Sequence, residues 1–376
     1  MTLEGELVVY LPWNGHRVER ATLHSSRPFA ASRVLAGKPP GEVVATVPLL
    51  FSICGGAQRA AAVSALAAAG APGVTCAGTG DELGVILETV QEYFWRVLID
   101  WPKAMGREPF APPVTAVRQI AAKARRANGV PVWESATATR ELGATIGALA
   151  TKSIYSISPA AWLALGDSAG LEAWIERGAA LPAVLLGEVM RQMPDVGRSD
   201  VALMPATTPD ALISAVVPAM AEPQFARTPT WDGVPVETGA LARMCSQPVV
   251  AAQAARHGNA VATRMVARLA ELATLLQELA GERRAAHAPS RIQTFALAPG
   301  EGLAAVQTAR GLLLHRARLA DGRVRDYQIV APTEWNFHPD GALVRGLSGL
   351  AADDETALEQ RARVAVQALD PCVACR

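Results

Sequence analysis

The sequence predicts an α+β fold, mainly helical, with small β-hairpins near both ends. Two observations place the hairpins: Asn14-Gly15 and Asp321-Gly322 each stand between extended, apolar-rich runs, and both pairs accept the positive φ angles of a tight turn. A third places the helices, because between those turns apolar residues recur at steps of three and four, with Pro and Gly marking the gaps. Of the 376 residues 50% are apolar, enough to close a sizeable core.

The first hairpin joins Glu6 to Leu11 with Arg17 to Leu23. Gln58 to Ala69 is nearly all alanine and small apolar residues, so it should be a buried helix, with Ile53-Cys54-Gly55-Gly56 at its entrance. From Leu83 to Trp101 the residues Ile86, Val90, Phe94, Val97, Leu98 and Trp101 keep helical spacing, and Pro102 is expected to end the helix. Shorter helices follow around 137–150, 159–176 and 209–221. A long one is expected from Val249 to Gly281, striped by Val261, Met265, Leu269, Leu272, Leu276 and Leu279 and closed by a C-cap glycine. Leu312 to Leu319 and Val324 to Val330 form the second hairpin, and a last helix from Asp354 to Ala368 delivers a cysteine pair to the chain end. No linker composition divides the chain, which reads as a single domain over 1–376.

Thirty-five Lys+Arg balance 35 Asp+Glu, so no net charge steers the molecule toward nucleic acid or an anionic membrane. The apolar stretch from Ala179 to Met190 contains Glu188 and is too short to cross a bilayer. Five scattered cysteines do not make the even framework of a secreted scaffold, and the first residues lack a signal-peptide pattern; both point to the cytoplasm. Cys76 and Cys245 read as small core residues, and His257, His287, His315 and His338, lacking ligand spacing, as lone exposed histidines. Trp335 reads as a packing anchor.

Chemistry concentrates in Asp370-Pro371-Cys372-Val373-Ala374-Cys375, where two thiols three apart fit half of a metal site, a redox couple or a structural pair. Four further segments bear on that choice: Ile53-Cys54-Gly55-Gly56-Ala57, Val236-Glu237-Thr238-Gly239-Ala240-Leu241-Ala242-Arg243, Gln307-Thr308-Ala309-Arg310-Gly311, and Val330-Ala331-Pro332-Thr333-Glu334-Trp335-Asn336. In these five segments, in this order, the chain resembles the large subunit of nickel–iron hydrogenases. That resemblance implies a [NiFe] hydrogenase large-subunit-like fold and makes the cysteines metal ligands. Catalytic members use four cysteines to hold nickel and an iron carrying two cyanides and one carbon monoxide.

The departures shape the function that the resemblance implies. Ala57 stands where the second N-terminal cysteine would bridge both metals, and three sulfurs cannot supply a four-thiolate nickel site. Ser32 aligns with the glutamate that carries protons in catalytic members, and a serine is no acid or base near neutral pH. The chain stops one residue after Cys375, without the extension that a nickel-dependent protease removes.

The donors for iron are kept. Arg310 and Thr333 match the residues that hydrogen-bond the two cyanides, and Pro332 matches the wall around the carbon monoxide. By position, Cys375 is an iron ligand, while Cys54 and Cys372 match terminal nickel ligands, one of which is expected to become the second thiolate. The pattern resembles the HupK/HoxV group of hydrogenase maturation proteins. It implies a non-catalytic scaffold that holds iron as Fe(CN)2(CO), without nickel, takes it from the HypC/HypD complex and passes it to an immature large subunit. A divergent catalytic subunit and a metal-free assembly factor are the alternatives.

Overall fold

In the computed structural model residues 5–27, 34–126, 135–282 and 290–376 are described. Strand β1 (Glu6–Tyr10) pairs antiparallel with β2 (Thr22–Ser25), Tyr10 opposite Thr22. Asn14 Oδ1 accepts from the amides of His16 and Arg17, and Gly15 takes a φ of 94°, so the turn forms where expected. The second strand nevertheless starts later than expected. Arg17 bridges to Ala351 and the Val18 amide donates to Leu350 O, so this stretch spends its backbone groups on a distant segment.

Helices α1 (Pro40–Leu50) and α2 (Gly55–Ala68) flank a short 3-10 turn, Ser52–Cys54. Helix α3 (Thr79–Trp95) does not end at Pro102. It runs through a π turn, Arg96–Asp100, into Trp101–Ala104. Proline removes the N–H that would bond Leu98 O, and the Phe110 amide takes its place at 2.8 Å. Then come α4 (Ala111–Arg126), α5 (Ala136–Ala150), α6 (Pro159–Leu163), α7 (Ser168–Arg177) and α8 (Leu181–Gln192). Side chains of Ser135, Ser158 and Asp167 cap α5, α6 and α7.

Strand β3 (Ala202–Leu203), helix α9 (Pro209–Val216), strand β4 (Val236–Glu237) and helix α10 (Ala240–Met244) follow, β3 and β4 pairing in parallel. The single long helix expected over 249–281 is two, α11 (Pro248–His257) and α12 (Val261–Ala280). Gly258, at φ 60°, breaks the line between them. Gly281, in the left-handed region, caps α12 as expected.

The second hairpin belongs to a larger sheet than expected. Strands β5 (Ile292–Ala298), β6 (Glu301–Thr308), β7 (Gly311–Ala320) and β8 (Arg323–Val330) form one antiparallel meander. Asp321 and Gly322, with φ of 52° and 71°, turn β7 into β8 as the sequence predicts. The chain closes with α13 (Pro332–Asn336), α14 (Ala342–Leu347), α15 (Glu355–Leu369, capped by Asp354) and β9 (Ala374–Cys375), which lies parallel to β1.

Helix α12 lies at the centre, buried on nearly every side within the largest apolar cluster. Helix α2 packs against the sheet so closely that a Cβ on Gly302 of β6 would meet Ala65 O at 2.2 Å, which is why that position has none. Among the described residues no helix is long and apolar enough to cross a membrane.

The polar faces of α12 are paired inside the protein. Arg264 makes two 2.8 Å contacts with Glu237, and Glu271 accepts from Arg243 at 2.6 and 2.8 Å and from Tyr93 OH at 2.6 Å. Burial would raise the Glu271 carboxyl, but the charge and hydrogen bonds of Arg243, with help from Arg291 and Tyr93, hold it down to about 2. A depressed carboxylate stabilises the fold above its unfolded value, 4.5, and that stability is lost as pH falls toward 2. The loss is expected to reach roughly 3 kcal/mol. Urea unfolding across this range should show the slope in the native protein and a shallower one in Glu271→Gln; equal slopes would contradict the assignment.

Candidate metal centre

The segments that carry chemistry are locked to one another through backbone and buried amides. Thr238, between β4 and α10, donates its amide to Asn336 Oδ1 at 2.9 Å and accepts the Leu312 amide on Oγ1 at 3.1 Å. Asn336 Nδ2 in turn donates to Arg310 O at 3.3 Å. Gly311, at φ 131°, passes so close that a Cβ there would meet Thr238 Cγ2 at 2.3 Å. Strand β7, helix α13 and the loop after β4 therefore hold a fixed relation beside the chain's last residues.

Asp370 joins those residues to this frame. It terminates α15 in the left-handed conformation, φ 58°, with its side chain fully buried. Its carboxylate meets Arg96 at 2.6 Å, Arg310 at 3.2 Å and Arg268 at 3.8 Å. Burial would raise that carboxyl, but Arg310, Arg96 and Arg268 together hold it below the usual 3.8. Arg310, 4% exposed, also donates to Glu92 at 2.7 Å. Its guanidinium is thus held inside the protein rather than at the surface.

Cys54 and Cys372 lie within electrostatic reach of each other at this point. Cys54 ends the 3-10 turn before α2, and Cys372 follows Asp370 by two residues. Burial first, then the neighbouring Cys372 and Glu88, push the Cys54 thiol up to about 12. Thr333 Oγ1 donates to Cys372 Sγ at 3.0 Å and accepts the Cys372 amide at 3.3 Å, so the predicted threonine does lie on a predicted sulfur. Pro332 is buried in the first turn of α13. Arg310 is within electrostatic reach of both sulfurs.

Cys375 is placed differently. It lies on β9 opposite Leu7 and packs against the main core, and burial pushes its thiol up to about 11. Among the described residues no three His, Cys, Asp or Glu side chains are grouped to hold a metal ion. Cys54 and Cys372 thus share a neighbourhood, while Cys375 lies on β9 beside β1. Ala57 is fully buried in α2, where Glu88 accepts the amides of Gly56 and Ala57 at 2.8 and 3.2 Å. Ser32 lies outside the described residues.

Several residues of the candidate site belong to none of the five motif segments. Arg27 pairs with Glu334 at 2.9 Å, and Cys372 is within its hydrogen-bonding reach. Burial pulls its guanidinium down, but Cys372, Glu334 and Cys54 outweigh burial and hold it above its usual value. Gln58 donates to Cys54 Sγ at 3.6 Å and bonds the ring of His315 at 2.9 Å. His315 is fully buried and His338 nearly so, which corrects the expectation of exposed histidines; a strand in a two-sided core has no solvent to offer His315. His287 lies outside the described residues. Cys76 and Cys245, expected in the core, are exposed, one in the loop before α3 and the other just past α10. Trp335 is the packing anchor expected, edge-on to Phe225 with ring centroids 6.1 Å apart.

The architecture and the convergence of these segments define a hydrogenase large-subunit-like protein. Structures of the [NiFeSe] hydrogenase from Desulfovibrio vulgaris Hildenborough superpose with a TM-score of 0.61 over 99% of both chains at 16% identity, a likeness of fold. Residues 247–376 match the nickel-dependent hydrogenase family. Over 361 residues, 92% of this chain and 90% of the other, the sequence is 32% identical to hydrogenase expression/formation protein HoxV of Cupriavidus necator. It is equally similar, 32% over 356 residues covering 91% and 89%, to hydrogenase expression/formation protein HupK of Azotobacter vinelandii. The chain belongs to this family of hydrogenase expression/formation proteins.

Asp370→Asn tests the frame, because asparagine tolerates the left-handed backbone but removes the buried charge that three guanidiniums share. Breaking such a buried network should cost about 3–5 kcal/mol. Denaturant unfolding should show that loss, with faster carboxypeptidase trimming of the last residues; an unchanged midpoint would remove Asp370 from this role.

Proposed function

We propose that this protein is a non-catalytic scaffold in [NiFe] hydrogenase maturation that holds an Fe(CN)2(CO) fragment and passes it to an immature large subunit. The observation that carries this reading is Thr333 seated on Cys372 at 3.0 Å, with Cys54 and Arg310 within electrostatic reach of that sulfur and Ala57 where a further sulfur would be needed. Two soft thiolates suit a single iron, and the missing one denies nickel its four-sulfur set. Membership of the expression/formation family supports a role in assembly.

The site's donors fit the cargo. A cyanide nitrogen accepts hydrogen bonds; the Arg310 guanidinium has five N–H groups and meets two carboxylates, so donors remain. The Thr333 hydroxyl, on Cys372 in this structure, can rotate to a second cyanide. Pro332 and Ala331, both buried, offer the apolar surface that a carbonyl ligand requires. Metal binding would displace the protons from Cys54 and Cys372. Cys54 and Cys372 are two thiols within electrostatic reach of each other, and Cys375, an iron ligand by its position in the motif, is the third proposed sulfur.

We assign HypC/HypD as donor of the fragment, an immature large subunit as acceptor, and the cytoplasm as the place of exchange. A holder that lacks one bridging thiolate grips its cargo less tightly, which suits release. Cyanide and carbonyl infrared bands of anaerobically purified protein are expected in the native chain and strongly reduced in Cys54→Ser and Cys372→Ser. Full bands in both variants would contradict the scaffold. Ala57→Cys should retain iron and slow hydrogenase maturation in cells; undisturbed maturation would count against the release argument.

A further inference from the structure

A buried chain of hydrogen bonds approaches Cys54 from the sheet. Tyr327 OH lies 2.7 Å from His315 Nδ1, His315 Nε2 lies 2.9 Å from Gln58 Oε1, and Gln58 Nε2 lies 3.6 Å from Cys54 Sγ. The three side chains are at most 1% exposed, and β7 and β8 hold the two ring residues against α2.

Only one direction of donation satisfies this chain. The amide oxygen of Gln58 can only accept, so His315 Nε2 carries the proton and Nδ1 accepts from the tyrosine hydroxyl. Burial keeps the ring neutral, down to about 3, so its two nitrogens keep opposite roles. Reversing the chain would strand the Tyr327 hydroxyl, which has no other acceptor among the described residues. It would also turn the Gln58 oxygen toward a sulfur that, once on a metal, has no proton to give. Every donor therefore points toward Cys54.

We propose that Tyr327, His315 and Gln58 form a one-way relay that orients Cys54 and donates a hydrogen bond to its sulfur, presenting it as a thiolate ligand for a soft metal shared with Cys372. The relay rests on the reading of Cys54 as a ligand. Its three members are positioning residues: Gln58 alone touches the sulfur, and the other two fix which end of its amide does so. The polar Gln58 within an alanine-rich helix has its explanation here, since an apolar residue would pack there but leave the sulfur without a donor.

Two measurements on metal-free protein test it. In protein labelled with 15N-histidine, His315 is expected as the Nε2–H tautomer, and Tyr327→Phe should release it to a mixture; a native Nδ1–H tautomer would overturn the relay. Cd(II) titration, followed by thiolate-to-metal absorption, should show about tenfold weaker binding in Gln58→Leu. That weakening should vanish in a Cys54→Ser background, whereas a general packing defect would persist there. Equal affinity in the native protein and Gln58→Leu would overturn the relay and leave Cys54 and Cys372 as ligands. Absence of Cd(II) from both cysteines in the native protein would overturn the ligand reading as well.

Discussion

The buried carboxylate of Asp370 is the constraint on which the centre depends. It reverses the chain at the end of α15 and binds Arg96 from the π turn after α3, Arg310 from the β6–β7 turn and Arg268 from α12. Three elements far apart in sequence thus converge on one side chain two residues before Cys372. Such a cluster is a weak source of net stability, because each charge has lost its water. Its contribution is geometric: the last residues have one position that satisfies all four charges.

Around that anchor the site is asymmetric. On one side Thr333, Arg310 and Arg27 surround Cys372 with donors, while Glu92 and Glu334 hold two of those donors in place. On the other, Cys54 is reached through Gln58, and the next turn of α2 offers only the methyl of Ala57. Under the proposed function such a centre would hold one metal by sulfur and surround its other ligands with hydrogen-bond donors. With Ala57 in place of a further sulfur it would lack the set for two metals, in keeping with the chain's place among hydrogenase expression/formation proteins.

Much of this was legible in the sequence where local chemistry decides structure. Asp321-Gly322 marked its turn, Asp354 and Gly281 their helix ends, and the alanine run its buried helix. Local rules failed where tertiary bonding replaced them. Phe110 satisfies the carbonyl that Pro102 abandons, and Leu350 takes the amide of Val18 from the expected strand. At the candidate site, motif order singled out Cys54, Cys372, Arg310 and Thr333, which the fold places near one another. The relay through Gln58, His315 and Tyr327 spans residues 58 to 327, and Arg27 belongs to none of the quoted segments. No spacing rule joins such residues; only the packing of α2 on the sheet does.

Under the proposed function the centre holds iron and has no place for nickel. Metal analysis of protein purified without oxygen from a host with complete maturation machinery tests it most directly. Iron accompanied by cyanide and carbonyl, with no nickel, is the expected result. One nickel per chain together with hydrogen-dependent dye reduction would contradict it.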